Sequence, residues 1–247
     1  MAQGKPRVMT ELLFLQDAYQ REHRCLVTAH TPEGGLVLER SIFYPTGGGQ
    51  PGDSGTIHWQ SGQLKVATTV KGHDGAVVLL AAEPGCLPPV GAEVFQDLDW
   101  DRRYRMMQMH TALHLLSVVI PLPVTGGAVG SEKGRLDFDM PDAPPEKAVL
   151  QSDLNALIAQ DLPVTDSWIS DQQLLDNPQL IKTMSVKPPV GAGQVRLVQI
   201  GEEQARIDLQ PCGGTHVART GEIMPLLVAK IEKKGRQNRR VTLRFTG

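Results

Sequence analysis

The 247 residues carry 25 Lys and Arg against 27 Asp and Glu, a formal net charge of −2, with 40% hydrophobic and 21% charged residues. That apolar content supports one large or two ordinary domains with real cores; the charge excludes bulk attraction to nucleic acid but leaves room for a local basic patch. Cys25, Cys86 and Cys212 are too few and odd in number for a secreted disulfide framework, the polar start MAQGKPRVMTELLF is no signal peptide, and no apolar run reaches the ~18 residues of a membrane span, so a soluble cytoplasmic chain without membrane contact is expected.

The first hundred residues read as β. Short apolar segments at 25–30, 35–44, 54–59, 64–70, 76–82 and 92–100 are separated by the turn signals PEGG, GGGQPGD, QSGQ and GHDG. Short strands so closely spaced predict a small barrel or folded sheet. The character then changes. DRRYRMMQMHTALHLLSVVI, 101–120, lacks Gly and Pro, spaces its apolar residues as a helix does and stops at Pro121. A second helix is expected over 144–161, with Pro144 and Pro145 in its first turn and Asp142 as its cap. A strand at 164–170, a short helix over 170–181 and strands at 195–200, 203–209, 226–233 and 239–245 follow. The expected class is α+β: an N-terminal β-barrel domain over 1–98 and an α+β domain over 99–247.

Two pairs of residues are candidates for metal chemistry. His110 and His114 stand four apart on the long helix, which places both imidazoles on one face. Cys212 and His216 bracket Gly213 and Gly214 in CGGTH, a loop able to turn both side chains toward one point. Taken singly, each pair also reads as ordinary core histidines or as a glycine turn beside a cysteine. Together they make a borderline-soft set of three nitrogens and one sulfur that suits Zn²⁺ over Mg²⁺ or Ca²⁺. The long gap between the pairs is unlike a small zinc finger, so a formed domain must bring helix and loop together. No glutamate stands between the histidines in HExxH fashion, which argues against a zincin-type peptidase.

GGGQPGD lacks the Lys and Ser/Thr of a phosphate loop and reads as a tight turn. Basic residues gather in two places. Lys230, Lys233, Lys234, Arg236, Arg239, Arg240 and Arg244 crowd the C-terminal segment, and Arg102, Arg103 and Arg105 open the histidine helix. Arg102, Arg103, Lys233, Lys234, Arg236, Arg239 and Arg240 are the candidate phosphate-binding cations. A solvated hairpin turning between Gly235 and Asn238 is the plainer reading of the same residues.

HTALHLL together with CGGTHVARTGEI resembles the editing domain of alanyl-tRNA synthetases and the free-standing alanyl-tRNA editing proteins of the AlaX type. FYPTGGGQPGDSG, 43–55, and KIEKKGRQNRRVTLRF, 230–245, resemble two further motifs of that family, so the likeness runs from about Asp17 to the C-terminus. It implies a small β-barrel followed by an α+β editing domain of the threonyl/alanyl-tRNA synthetase type. It also implies a zinc-dependent hydrolase that removes serine, and in some cases glycine, from tRNA(Ala). No synthetase core precedes the motifs and no long extension follows, so the medium-length, trans-acting form is expected, with no obligate protein partner. Zinc at His110, His114, Cys212 and His216 would polarise the ester carbonyl, hold the amino group or activate water.

Thr111 and Gln50 match family positions near the amino-acid pocket and are the candidates for catalysis and selectivity. A site that hydrogen-bonds the serine hydroxyl rejects alanine because its own polar groups would be left unpaired. Without the resemblance, Thr111 reads as a helix threonine bonded one turn back and Gln50 as an exposed turn residue. GSEKGRLDFD, 130–139, stands where many relatives carry a longer serine-rich version; its Arg135–Asp137–Phe138 core is expected to preserve packing of barrel against helix. Two other readings are a non-catalytic RNA-binding module with structural zinc and a zinc hydrolase of small esters or amides.

Overall fold

A computed structural model describes residues 9–142, 146–182 and 193–246. The chain divides into two compact units, Met1–Gly47 with Pro51–Arg103, and Gly48–Gln50 with Tyr104–Gly247.

The strands of the first unit are β1 (Glu11–Leu12), β2 (Glu22–His30), β3 (Leu36–Leu38), β4 (Arg40–Ser41), β5 (Gly55–Trp59), β6 (Gly62–Lys71), β7 (Val77–Ala81) and β8 (Glu93–Leu98). Six of them close into a barrel in the order β2-β3-β7-β6-β5-β8, while β1 and β4 pair in parallel beside it. Period-two alternation sends Cys25 and Val27 of β2 and Leu64 and Val66 of β6 into the interior, where they meet Leu36, Ile57 and Leu79. The expected single strand over 35–44 is broken. Gln96 supplies the reason: its amide accepts from Ile42 N at 3.1 Å and donates to the Arg40 carbonyl at 3.0 Å, replacing ladder bonds with side-chain bonds. Ile42 and Phe43 stay fully buried outside any strand.

In the same unit the carboxylate of Asp53 accepts from Arg103 Nε at 2.9 Å, from Arg103 Nη2, and from Tyr44 N at 2.6 Å. Arg103 also donates to the carbonyls of Ala18 and Ile42, at 3.0 and 2.6 Å. This buried pair fixes the first turn of α1 (Trp100–Val119).

The second unit takes α1 from Tyr104 onward and adds β9 (Val124–Ala128), β10 (Lys133–Asp139), α2 (Lys147–Ala159), β11 (Val164–Ser170), α3 (Asp171–Asp176), β12 (Gln194–Ile200), β13 (Asp208–Pro211), β14 (Leu226–Lys233) and β15 (Asn238–Phe245). The strands form an antiparallel sheet in the order β14-β15-β10-β9 and a second one in the order β11-β12-β13. From Met106 to Ser117 every residue of α1 is buried, as expected of a helix covered all round. Gly134 of β10 makes the close packing possible, since a Cβ there would sit 2.6 Å from Met109 Cγ. The edge strand β14 is covered by α2. Asn155 brackets Leu226 by accepting from its N–H and donating to its carbonyl, both at 3.0 Å, and Lys147 Nζ donates to the Ala229 carbonyl at 3.1 Å.

Several elements differ from expectation. The cap of α2 is Glu146, which makes no side-chain capping bond, so Asp142 does not cap it; Pro144 and Pro145 lie outside the described residues. The helix expected over 170–181 ends at Asp176 and gives way to a 3₁₀ turn at Pro178–Leu180, because the residue before a proline disfavours helical backbone. Its start is a capping box between Ser170 and Gln173. The strand expected over 203–209 is a 3₁₀ turn at Glu203–Ala205, and strand begins only at Asp208. Residues 130–139 furnish β10, between β15 and β9, so the Arg135–Asp137–Phe138 core belongs to this sheet and packs on α1 through Gly134. Among the described residues no helix is long and apolar enough to cross a membrane.

Candidate metal centre

The two expected pairs meet. One ligand atom from each of His110, His114, Cys212 and His216 lies within 4.8 Å of the other three. Cys212 Sγ is 3.5 Å from His110 Nε2 and 3.3 Å from His216 Nε2. The ring centroids of His110 and His216 are 4.3 Å apart, and those of His114 and His216 4.6 Å. The helix provides one wall and the loop that leaves β13 provides the other. Gly214 lets the loop come this close: a Cβ on it would stand 2.2 Å from His110 Cε1.

The far nitrogen of each imidazole is occupied. His110 Nδ1 donates to Gln50 Oε1 at 2.8 Å, His216 Nδ1 donates to Thr111 Oγ1 at 3.1 Å, and His114 Nδ1 donates to Asp208 Oδ2 at 2.9 Å. A carbonyl and a carboxylate only accept, which sets the proton on Nδ1 of His110 and His114. The Thr111 hydroxyl already donates to the Met107 carbonyl at 3.0 Å, which sets the same tautomer in His216. All three Nε2 lone pairs are thereby left for a cation. Three imidazole nitrogens and a sulfur, each ring oriented by a hydrogen bond from its other side, fit a borderline-soft metal of the zinc kind.

The electrostatics agree with the donor set. Burial opposes charge on the Cys212 thiol, yet His110 and His216 outweigh it and hold its pKa well below the usual thiol value. Burial also pulls His114 down, but its bonds to Asp208 and Cys212 win and push it up to about 9. Burial and the neighbouring His110 push His216 down to about 3. A cysteine whose thiol is held low among imidazoles is a donor set that suits a divalent ion.

Thr111 and Gln50 both lie in the centre, fully buried. Gln50 Oε1 accepts from His110 and from Thr215 N, and its amide donates to Thr215 Oγ1 at 2.9 Å. It is therefore not an exposed turn residue. The Thr111 hydroxyl makes the expected bond one turn back and also accepts from His216 Nδ1 and, at 3.3 Å, from Val217 N.

The basic residues differ in exposure and in partners. Lys233, Lys234 and Arg236 are exposed at the tip of the β14–β15 hairpin, and Arg239 is half-buried. Arg240 is tied to Asp137 by a two-point contact at 2.7 and 2.9 Å. Arg102 is half-buried and donates to the Gly52 carbonyl at 2.9 Å. Arg103 is a correction: it is 0% exposed and spends its guanidinium on Asp53 and two carbonyls, so it has no face for a phosphate.

Sequence reasoning missed Asp208, Gln210, Lys182 and Arg196. Gln210 Nε2 donates to Asp208 Oδ2 at 2.8 Å, and Arg196 Nη1 donates to the Gly214 carbonyl at 2.9 Å, steadying the loop. A signal existed for the first two: Asp208, Gln210 and Cys212 alternate, so a strand leading into the loop puts all three on one face.

Residues 195–242 match the family described as Threonyl and Alanyl tRNA synthetase second additional domain, and residues 11–102 match tRNA synthetases class II (A). The alanyl-tRNA editing protein AlaX-M of Methanosarcina acetivorans is 33% identical over 245 residues, covering 94% of this chain and 98% of that protein. AlaX-M of Saccharolobus solfataricus is 32% identical over 239 residues, with 94% and 98% covered. The alanine–tRNA ligase of Pyrobaculum calidifontis is 34% identical over 234 residues, which span 91% of this chain and 25% of the ligase.

Proposed function

The chain belongs to the alanyl-tRNA editing family, and from that premise we propose that it is a zinc-dependent aminoacyl-tRNA deacylase that clears serine, and secondarily glycine, from mischarged tRNA(Ala) in trans. The observation that carries this reading is the convergence of His110, His114, Cys212 and His216 with every Nδ1 already engaged. A zinc ion held by these four side chains would supply Lewis-acid polarisation of the aminoacyl ester.

The protein's own groups do the rest. Gln50 and Thr111 aim the rings of His110 and His216. Thr111 is also the proposed reader of the serine hydroxyl. Its bond from Val217 N is the longest of the three it makes, and is the one a substrate hydroxyl would replace. Cytoplasmic tRNA(Ala) carrying a wrong amino acid is the proposed partner. Lys233, Lys234 and Arg236 at the hairpin tip are the proposed phosphate contacts, with Arg239 and Arg102 beside their own elements as lesser ones. The domain division proposed is a barrel over 1–98 and an editing domain over 99–247.

Incubation with Ser-tRNA(Ala) and Ala-tRNA(Ala), with and without a chelator, tests this. Seryl ester loss that stops on chelation supports the reading, and binding without hydrolysis favours a non-catalytic RNA-binding module. Thr111→Val is expected to lower the serine-to-alanine preference and also to weaken zinc binding, since His216 loses its acceptor; Thr111→Ser keeps both. A preference unchanged in Thr111→Val removes Thr111 from the pocket.

A further inference from the structure

The three imidazoles are not held alike. Among the described residues, Gln50 offers His110 an amide oxygen and Thr111 offers His216 a hydroxyl, both neutral, whereas His114 alone rests on a carboxylate. A carboxylate behind a ligating histidine orients the ring and strengthens it as a donor. The side chain of Asp208 is 0% exposed, a costly place for a charge that lacks a partner. Its two oxygens divide the work. Oδ2 accepts from His114 Nδ1 at 2.9 Å and from Gln210 Nε2 at 2.8 Å, while Oδ1 faces the ammonium of Lys182.

Lys182 comes from outside both ligand motifs. Its backbone carbonyl accepts from Val124 N at 3.0 Å, which fastens it to β9, and its side chain stays 29% exposed. It is the cation that compensates the buried carboxylate, and so it acts on His114 at one remove.

We infer that Lys182 and Asp208 form a positioning pair that makes His114 the anchoring ligand of the centre: Asp208 fixes the ring and Lys182 holds the Asp208 carboxylate in place. This rests on the reading that the four side chains hold a divalent ion. Lys182 touches no ligand, and nothing in the CGGTH or HTALH motifs points to it.

The test is metal binding by the full chain. Metal-free protein is titrated with Co²⁺, whose visible bands report the ligand geometry, and with Zn²⁺ against a chromophoric chelator. A wild type that takes up no ion refutes the metal reading itself. With the wild type binding one ion, Asp208→Asn is expected to weaken Zn²⁺ by about 10–100-fold and to alter the Co²⁺ bands. Lys182→Met is expected to weaken Zn²⁺ by about tenfold, with Lys182→Arg restoring it to within about threefold. Lys182 is partly exposed, so its variants keep the fold, and circular dichroism checks that they do. Wild-type affinity in Lys182→Met, or a loss that Lys182→Arg leaves in place, overturns the proposal.

Discussion

Gly214 decides whether the cysteine loop can close on the helix. A methyl group there would lie 2.2 and 2.4 Å from atoms of the His110 imidazole and 3.0 Å from Gln50 Oε1. Gly214→Ala must therefore push out the ring or the amide that orients it. Metal affinity is expected to fall by about tenfold or more, read by equilibrium dialysis, while Gly213→Ala, which meets nothing within 4 Å, is expected to bind as the wild type does. The gathering of His110, His114, Cys212 and His216 was legible in the sequence because each pair is compact and its chemistry is particular to its residue types. Arg103 was not legible. In DRRYR it is one basic residue among three, and only the fold brings Asp53, fifty positions earlier, against it. Removing one partner of a buried pair leaves the other charge uncompensated. Arg103→Ala is accordingly expected to cost about 3–5 kcal/mol of stability in denaturant titrations, a loss that added RNA does not explain.

The β14–β15–β10–β9 sheet carries two kinds of charge. On β10 and β15, Arg135 and Arg240 grip Asp137, with Arg135 Nη1 at 2.7 Å and Arg240 at 2.7 and 2.9 Å. Burial pushes the Asp137 carboxyl up, but the two guanidiniums outweigh it and hold it below the usual carboxylate value of 3.8. A carboxyl whose pKa is lower folded than unfolded adds stability above the unfolded value and loses it as pH falls through the folded one. Wild type and Asp137→Asn should therefore differ by about 1 kcal/mol near neutral pH and converge below pH 3.8, in urea titrations run across that range. A constant gap down to strong acid refutes this. The hairpin tip behaves differently, because Lys233, Lys234 and Arg236 are exposed there. Charge removal at those three is expected to weaken tRNA binding at low salt. The salt dependence should flatten by roughly one counterion for each phosphate no longer neutralised. Arg240→Gln should act on stability first. The hairpin was legible from LLVAKIEK and RRVTLRF, whose apolar residues mark strands. β9 was not, since Gly126 and Gly127 in VTGGA carry little strand signal. β10 did offer one, with Leu136 and Phe138 alternating against Arg135, Asp137 and Asp139, but its charge masks it.

At the scale of the whole chain, a net charge of −2 and a hydrophobic fraction of 40% describe an ordinary globular protein. What sets the molecule apart is two short motifs, nearly a hundred residues apart in sequence, that share one centre. Neither motif can hold a divalent ion firmly by itself; with two ligands each, the unfolded chain binds it far more weakly than the fold does. Binding that favours the folded state stabilises it by mass action, about 2.7 kcal/mol when free metal is a hundredfold above its dissociation constant. For a chain of this size that corresponds to a rise of roughly 5–11 °C in unfolding temperature. A chelator is expected to lower the unfolding temperature of the zinc-loaded wild type by about that much. It should leave Cys212→Ala and His114→Ala nearly unmoved, because each has already lost a ligand and most of its affinity. An equal fall in the variants would mean that chelation acts elsewhere on the chain. No fall in a wild type shown by metal analysis to be loaded would mean that the ion adds nothing to the joining of the two motifs.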